Sequence, residues 1–184
     1  MLFLLWTEFI RALWILFPAF AANCFPTFIR VYGIKGHPID FGKSYKGNRL
    51  FGEGKTIEGF SLGLVAGFLV ALAELGLYPY LNAYANQFDV SLSSLTILIC
   101  FLIPLGALTG DLIKSFFKRR LGIQRGGKLM GFDQLDFVVG TIIFTSLFID
   151  YTLLMVIWMF LFSFVIHRMS SIIGYILKIK REPW

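Results

Sequence analysis

Five long apolar stretches constrain this chain more than any other feature of its sequence. A helix needs about 20 mostly apolar residues to cross the ~30 Å hydrocarbon core of a bilayer. Candidate stretches cover residues 4–29, 57–77, 92–110, 132–149 and 151–166, and few charged side chains interrupt them. The sequence therefore predicts an all-α integral membrane protein with five transmembrane helices.

The composition excludes most other classes of protein. Hydrophobic residues make up 57% of the 184 positions and charged residues 15%, whereas soluble domains average about 45–50% and 25%. A soluble enzyme and a disordered chain are both excluded. Cys24 and Cys100 each lie inside an apolar stretch, so a secreted disulfide scaffold is excluded as well. We predict one transmembrane domain, residues 1–184.

The basic residues indicate the orientation of the chain in the membrane. With five spans, the segments 30–55, 114–128 and 168–181 face the same side, and together they hold every Lys and Arg except Arg11. Basic segments next to a membrane usually remain cytoplasmic. We predict an N-terminus outside, a C-terminus in the cytoplasm, and a multi-pass protein of the cell membrane whose functional face is cytoplasmic.

Two glycine-rich basic loops lie on that face, at about residues 31–56 and 111–131. Glycine allows backbone N–H groups to turn toward an anion, and lysines add positive charge. The loops therefore resemble a phosphate-binding surface. A simpler alternative is that they only contact anionic lipid headgroups.

A group of acids lies beside these loops. Asp111, Lys114, Ser115 and Lys118 have the spacing of one helical stripe if the third helix continues past the membrane. Asp133 and Asp136 are one helical turn apart at the start of the fourth stretch.

The depth of Asp136 can be estimated from the length of its stretch. The segment from Asp136 to Asp150 covers roughly 21 Å of helix, which is less than the hydrocarbon core. We therefore expect Asp136 in a recess below the cytoplasmic interface, where ionisable groups usually mark function. The open alternative is that Asp133 and Asp136 only pair with Arg119, Arg120 or Lys128.

Carboxylates without a cysteine or histidine cluster are hard oxygen ligands, which suit Mg²⁺. The residues therefore predict Mg²⁺-assisted phosphoryl or nucleotidyl transfer at the membrane face, with a substrate held in the bilayer and no nucleic acid as a partner. An alternative of another class is a non-enzymatic transporter or an accessory subunit with loops that bind anionic lipids.

Longer runs of residues resemble a known family. Residues 38–43 (Pro-Ile-Asp-Phe-Gly-Lys) and 48–59 (Asn-Arg-Leu-Phe-Gly-Glu-Gly-Lys-Thr-Ile-Glu-Gly) resemble the first loop of the CDP-archaeol synthase family, and residues 131–137 (Gly-Phe-Asp-Gln-Leu-Asp-Phe) resemble its second loop. The family is similar in turn to phosphatidate cytidylyltransferases. Their signature has Ser-x-x-Lys-Arg, as in residues 115–119, and Asp-Arg-x-Asp, where this chain has Gln134 in place of Arg. The family's first loop also has Asp-Gly where this chain has Lys46-Gly47.

The resemblance implies a CTP-dependent cytidylyltransferase that acts on an isoprenoid glycerophosphate lipid and uses Mg²⁺. It implies Asp111, Asp133 and Asp136 as metal ligands and catalytic residues, together with Lys118 and Arg119. The implied substrate-binding residues are Lys43, Asn48, Arg49, Lys55, Thr56, Lys114, Ser115 and Gln134.

Overall fold

A computed structural model describes residues 2–31, 33–123, 127 and 134–176, and within these residues the chain forms six helices and one short hairpin. The helices are α1 (Leu2–Cys24), α2 (Pro26–Val31), α3 (Ile57–Asn86), α4 (Ile97–Arg120), α5 (Asp136–Thr145) and α6 (Leu153–Ile176), and the hairpin strands are β1 (Ser44–Tyr45) and β2 (Asn48–Arg49).

The helices confirm the prediction of an all-α fold, and their length and composition fit a membrane protein. Within the described ranges, three helical segments are long and apolar enough to cross a bilayer, and two shorter apolar helices accompany them. The long segments are Phe3–Cys24, Ile57–Asn86 and Ile97–Arg120, and the shorter ones are Asp136–Thr145 and Leu153–Met169. The span count of five, the orientation and the single domain remain predictions.

The bounds of α4 differ from those of its predicted stretch at both ends. The helix begins at Ile97 because the Thr96 hydroxyl accepts the N–H of Ile99 and caps it. It then continues to Arg120, so residues 111–120 are helical and do not open the second loop as predicted. One face of this extension packs inward, since Ser115 is buried whereas Ile113 and Phe117 are exposed.

Helices α4 and α5 approach each other closely at glycines. A Cβ atom added to Gly106 would lie 2.5 Å from the carbonyl oxygen of Gly140, and one added to Gly110 would lie 2.2 Å from that of Asp136. Only glycine allows the two backbones to come so near. The close contact fixes the start of α5 against the middle of α4.

Helix α1 packs against α3, α4, α5 and α6 and so lies at the centre of the bundle. Its contact with α3 also uses glycine, because a Cβ on Gly63 would lie 2.5 Å from the Ala22 carbonyl oxygen. Fully buried apolar side chains fill the interior, among them Ile15, Ile103 and Met155. The bundle thereby provides a rigid support for the polar residues at one of its ends.

Candidate active site

Two lysines and two aspartates form a charge cluster where the starts of α3 and α5 meet the second half of α4. The Nζ of Lys114 lies 3.2 Å from Asp111 Oδ1 and 2.8 Å from Asp136 Oδ2. The Nζ of Lys55 contacts the other carboxylate oxygen of Asp111. The Asp136 side chain is only 7% exposed, so it lies in a recess of the protein, and its depth below the membrane interface stays a prediction.

The partners of the acids answer one question that the sequence left open. Asp136 pairs with Lys114 on α4, whereas Arg119 and Arg120 donate to backbone carbonyls of the first loop. Lys128 and Asp133 lie outside the described residues. Asp136 is therefore paired between helices, and within the described residues the two arginines bind the first loop. The partners of Asp133 stay an open question.

Local structure explains how Lys55 reaches Asp111. Thr56 caps the N-terminus of α3 by accepting the N–H of Gly59 at 3.1 Å. Lys55, the residue before this cap, is thus held at the helix start, where its side chain meets Asp111 on the neighbouring α4.

The helical spacing of α4 explains the rest of the cluster. Asp111, Lys114, Ser115 and Lys118 lie on one helix, so the predicted stripe is confirmed. The Ser115 hydroxyl donates to the Asp111 carbonyl oxygen at 2.9 Å. Because Gly110 packs on the backbone of Asp136, the first turn of α5 is placed beside this stripe.

The first loop, residues 33–56, contains a tight hairpin. Strand β1 pairs with β2 in antiparallel register, Ser44 opposite Arg49 and Tyr45 opposite Asn48. The two residues between them, Lys46 and Gly47, both have positive φ angles, 49° and 78°, as a type I′ turn requires. An Asp-Gly pair also suits this turn, so Lys46 in place of Asp is compatible with the same hairpin.

Asp40 is the buried centre of the first loop. Its carboxylate accepts N–H groups from Gly42, Phe51 and Gly52 at 3.0–3.2 Å and also pairs with the Arg49 guanidinium. Burial opposes ionisation, but the hydrogen bond from Arg49 and those from the three backbone N–H groups outweigh it and hold the pKa of Asp40 well below its ordinary value. The folded loop therefore favours the ionised form of Asp40.

Two arginines at the end of α4 attach the first loop to that helix. Arg120 donates to the carbonyl oxygens of Tyr45, Asn48 and Arg49, the last at 2.6 Å. Its guanidinium also lies 4.6 Å from the centre of the Phe116 ring, a favourable cation–π distance. Arg119 donates to the Phe51 carbonyl at 3.5 Å. The loop is thus held over the end of the helix that carries Asp111 and Lys114.

The two acids of the cluster are suited to share a cation. Asp111 and Asp136 both contact the single ammonium of Lys114, so their carboxylates converge on one position. Hard carboxylate oxygens at such a position fit Mg²⁺. Within the described ranges no group of three or more His, Cys, Asp or Glu side chains could hold a metal, and Asp133, the predicted third ligand, lies outside those ranges.

The other predicted site residues lie around the cluster and in the first loop. Lys43 is exposed in the loop, and Asn48 and Arg49 form β2. Lys118 lies on the α4 stripe. The Gln134 backbone carbonyl accepts the Ser163 hydroxyl of α6. None of these placements tests a catalytic or binding role.

Two cavities of the bundle differ in the polarity of their lining residues. A small cleft of about 50 Å³ adjoins the cluster and is lined by Lys55, Thr56 and Asp111 among others. A larger cavity of about 430 Å³ lies between α1 and α3, with mostly apolar walls and Glu74 as its one acid among the lining residues. A polyphosphate requires cations, so the cluster suits it and the larger cavity does not.

Sequence reasoning missed the structural roles of Asp40 and Arg120. The signal for Asp40 is that it is one of only two acids, with Glu53, in a basic, glycine-rich loop and is followed by an arginine nine residues later. No comparable signal exists for Arg120, because its acceptors are backbone carbonyls more than 70 residues away along the chain.

Comparison with known proteins gives consistent matches over nearly the whole chain. A family model described as CarS-like, CDP-archaeol synthase, matches residues 3–184. The CDP-archaeol synthase of Methanosarcina acetivorans is 39% identical over 178 residues, which cover 91% of this chain and 99% of that protein. The CDP-archaeol synthase of Saccharolobus islandicus is 37% identical over 96% of this chain and 97% of its own length.

A solved structure is also similar. It is described as an intramembrane enzyme for archaeal membrane lipid biosynthesis, is 33% identical, and covers 89% of this chain and 94% of its own with a TM-score of 0.70. Sequence and fold therefore agree over nearly the same residues.

Proposed function

The chain belongs to the CDP-archaeol synthase family, and we propose that it joins CTP to digeranylgeranylglyceryl phosphate, giving CDP-archaeol and pyrophosphate. It is a nucleotidyltransferase, specifically a cytidylyltransferase of archaeal lipid biosynthesis, and a membrane protein. Family membership therefore decides against the non-enzymatic transporter or accessory subunit. The observation that carries the proposal is the Lys55, Asp111, Lys114 and Asp136 cluster beside a basic loop.

We propose Mg²⁺ as the cofactor. Cytidylyltransferases generally use a divalent metal, and the converging carboxylates of Asp111 and Asp136 support that choice here. Asp133 is the proposed third ligand. When bound, Mg²⁺ neutralises negative charge on phosphate oxygens.

The proposed reaction is an in-line substitution at phosphorus. An oxygen of the lipid phosphomonoester attacks the α-phosphorus of CTP, the bond from that phosphorus to the bridging oxygen of the β-phosphate breaks, and pyrophosphate leaves with that oxygen. The lipid phosphate is mostly dianionic at neutral pH, so no strong base is needed. Catalysis then depends on positioning and charge neutralisation.

Basic and polar side chains supply those two effects. Lys55 and Lys114, already beside the acids, are proposed to bind phosphate oxygens, together with Lys43, Arg49, Lys118 and Arg119. Asn48, Thr56, Ser115 and Gln134 give polar support. The isoprenoid chains would lie between helices in a groove open to lipid.

We also propose five spans, with the N-terminus outside and the active site facing the cytoplasm. In this arrangement α5 and α6 belong to the fourth and fifth spans. Arg11, the one basic residue predicted outside, donates to the Asp150 carbonyl oxygen at 3.2 Å. This contact supports placing the start of α1 and the turn between α5 and α6 at the same membrane face.

A direct assay tests the proposed activity. Purified protein receives CTP, the isoprenoid glycerophosphate and Mg²⁺, and both CDP-lipid and pyrophosphate are measured. Asp136→Asn should reduce turnover by roughly 100-fold or more. Asp150→Asn is the matched control, because it removes an exposed carboxylate that follows the C-terminal end of α5, whereas Asp136 begins that helix, and it should leave turnover unchanged. A wild-type protein that forms no CDP-lipid, or an Asp136→Asn variant near the wild-type rate, would contradict the proposal.

A further inference from the structure

Asp40 has an environment that no other part of the first loop shares. Its side chain has no exposed surface, although most of its neighbours between residues 41 and 48 are exposed. Oδ1 accepts the Gly42 N–H at 3.1 Å, and Oδ2 accepts those of Phe51 and Gly52 at 3.2 and 3.0 Å. Arg49 binds both oxygens. One carboxylate thus closes the loop on itself.

The segment that Asp40 closes is the one that attaches to α4. The carbonyl oxygens of Arg49 and Phe51, two residues bound to Asp40, accept from Arg120 and Arg119. Gly52 lies against Arg119 so tightly that a Cβ atom there would come within 2.8 Å of the Arg119 Nε. Loss of the Asp40 carboxylate would therefore loosen both the loop and its attachment.

Two short backbone connections join Asp40 to Lys55 of the charge cluster. The N–H of Ile39, the residue before Asp40, donates to the Lys55 carbonyl at 2.9 Å. The Lys55 N–H donates to the carbonyl of Gly52 at 3.2 Å, and Gly52 in turn donates to Asp40. The backbone of Lys55 is thus held from both sides by residues that Asp40 orders, while its side chain contacts Asp111.

We infer that Asp40 is a positioning residue for nucleotide binding: it folds the first loop so that Lys55 lies at Asp111 and the loop stays against α4. This inference rests on the proposed function, because it assumes that the loop contacts CTP. Asp40 itself touches no substrate, since its oxygens are used by the loop. Arg49, proposed above to bind phosphate, already binds both oxygens of Asp40, so we infer that it also acts through this pair.

The kinetic test compares Asp40→Asn with wild type in the full-length protein. The Asn side chain keeps the size but loses the charge that binds Arg49. We expect the KM for CTP to rise about tenfold or more, with kcat at saturating CTP within about threefold and the KM for the lipid phosphate unchanged. Glu53→Gln is the matched control, because Glu53 is an exposed acid 3.9 Å from Arg49 in the same loop. It should leave all three constants near wild type.

A second measurement follows the loop without using activity. Trypsin cleaves after Lys and Arg, and the loop offers Lys43, Lys46 and Arg49. Cleavage within the loop should be about tenfold faster in Asp40→Asn than in wild type, while cleavage elsewhere in the chain stays the same. Addition of CTP should slow loop cleavage in wild type and much less in the variant.

A third variant addresses the possibility that Asp40→Asn does not fold. Arg120→Lys keeps the charge but loses the planar group that reaches three carbonyls, so it should detach the loop from the other side. The same rise in the KM for CTP and the same faster loop cleavage are expected.

Three results overturn the inference. The first is that Asp40→Asn leaves both the KM for CTP and the rate of loop cleavage unchanged. The second is that Asp40→Asn lowers kcat and raises both KM values to a similar extent, with a smaller fraction of folded protein. The third concerns the double variant Asp40→Asn, Arg49→Met. If Arg49→Met raises the KM for CTP by the same factor in the Asp40→Asn background as in wild type, the two residues act independently, whereas residues that act as a pair are not additive. If wild type forms no CDP-lipid, the proposed function fails, while loop cleavage without CTP still tests the ordering role of Asp40.

Discussion

The Nζ of Lys114 lies 2.8 Å from Oδ2 of Asp136, and this ion pair joins α4 to the first turn of α5. The same ammonium lies 3.2 Å from Asp111, so Lys114 occupies the space between the two carboxylates proposed to bind Mg²⁺. A lysine in that space neutralises the acids before any divalent cation arrives. Asp111 and Asp136 could hold a divalent cation at this position only if the ammonium moved, and the ammonium would then be free to bind a phosphate.

Replacement of Lys114 by methionine should separate metal binding from turnover. Removal of the competing ammonium should tighten the binding of Mn²⁺, used as a spectroscopic substitute for Mg²⁺, by up to about fivefold. Turnover should fall because a charge for the phosphate is lost. Mn²⁺ affinity can be measured by electron paramagnetic resonance, with Lys35→Met, an exposed loop lysine, as the control. Weaker Mn²⁺ binding in Lys114→Met would show instead that the lysine organises the carboxylates.

Replacement of Gly110 by alanine should disturb the contact between α4 and α5. The added methyl group would lie 2.2 Å from the Asp136 carbonyl oxygen, so α5 must move, at a cost of about 1–3 kcal/mol. We expect a lower midpoint of thermal unfolding in detergent and a loss of turnover, because Asp136 moves away from Lys114.

Gly76→Ala is the matched control for this substitution. A Cβ at Gly76 in α3 meets nothing within 4 Å, and alanine favours a helix by about 0.5–1 kcal/mol over glycine. This variant should therefore be as stable as wild type or more so. Similar destabilisation of both variants would contradict the role of Gly110 as a contact residue.

Sequence patterns predicted the features that depend on residues close together along the chain. Apolar runs identified the helices, and helical spacing placed Asp111, Lys114 and Ser115 on one stripe. The partner of Asp136 could not be predicted, because it depends on how closely α5 approaches α4, and that distance is set by glycines on both helices.

The fold of the first loop could also not be predicted from local sequence patterns. Burial of Asp40 requires residues up to 12 positions away to close around it. The end of α4 was placed too early because the apolar run stops at Gly110, whereas the helix continues as a polar stripe with one buried face. Such features depend on tertiary contacts that residue patterns do not record.

The stability that Asp40 contributes should disappear in acid. Its pKa is lower in the folded protein than in the unfolded chain, because Arg49 and three backbone N–H groups stabilise the anion. Folding therefore gains free energy from Asp40 above the ordinary carboxyl pKa of about 4, and that gain is lost as pH falls from there toward the depressed value. Between about pH 5 and 8, the free energy of unfolding of wild type should exceed that of Asp40→Asn by a constant amount. Below about pH 4 this difference should shrink. Thermal unfolding of both proteins across this range measures it, and a difference that does not change with pH would rule out the ionised carboxylate as its source.

The proposed orientation can be tested by labelling single cysteines in intact cells. The sequence contains two cysteines, Cys24 and Cys100, so a cysteine-free background requires only two substitutions. Lys46 lies at the exposed hairpin turn, and Asp150 is exposed at the turn between α5 and α6, which the five-span arrangement places on opposite faces. A maleimide that cannot cross the membrane should label the Asp150→Cys variant in intact cells and the Lys46→Cys variant only after the cells are opened. The reverse pattern would invert the orientation, and labelling of both variants in intact cells would contradict an odd number of spans between these positions.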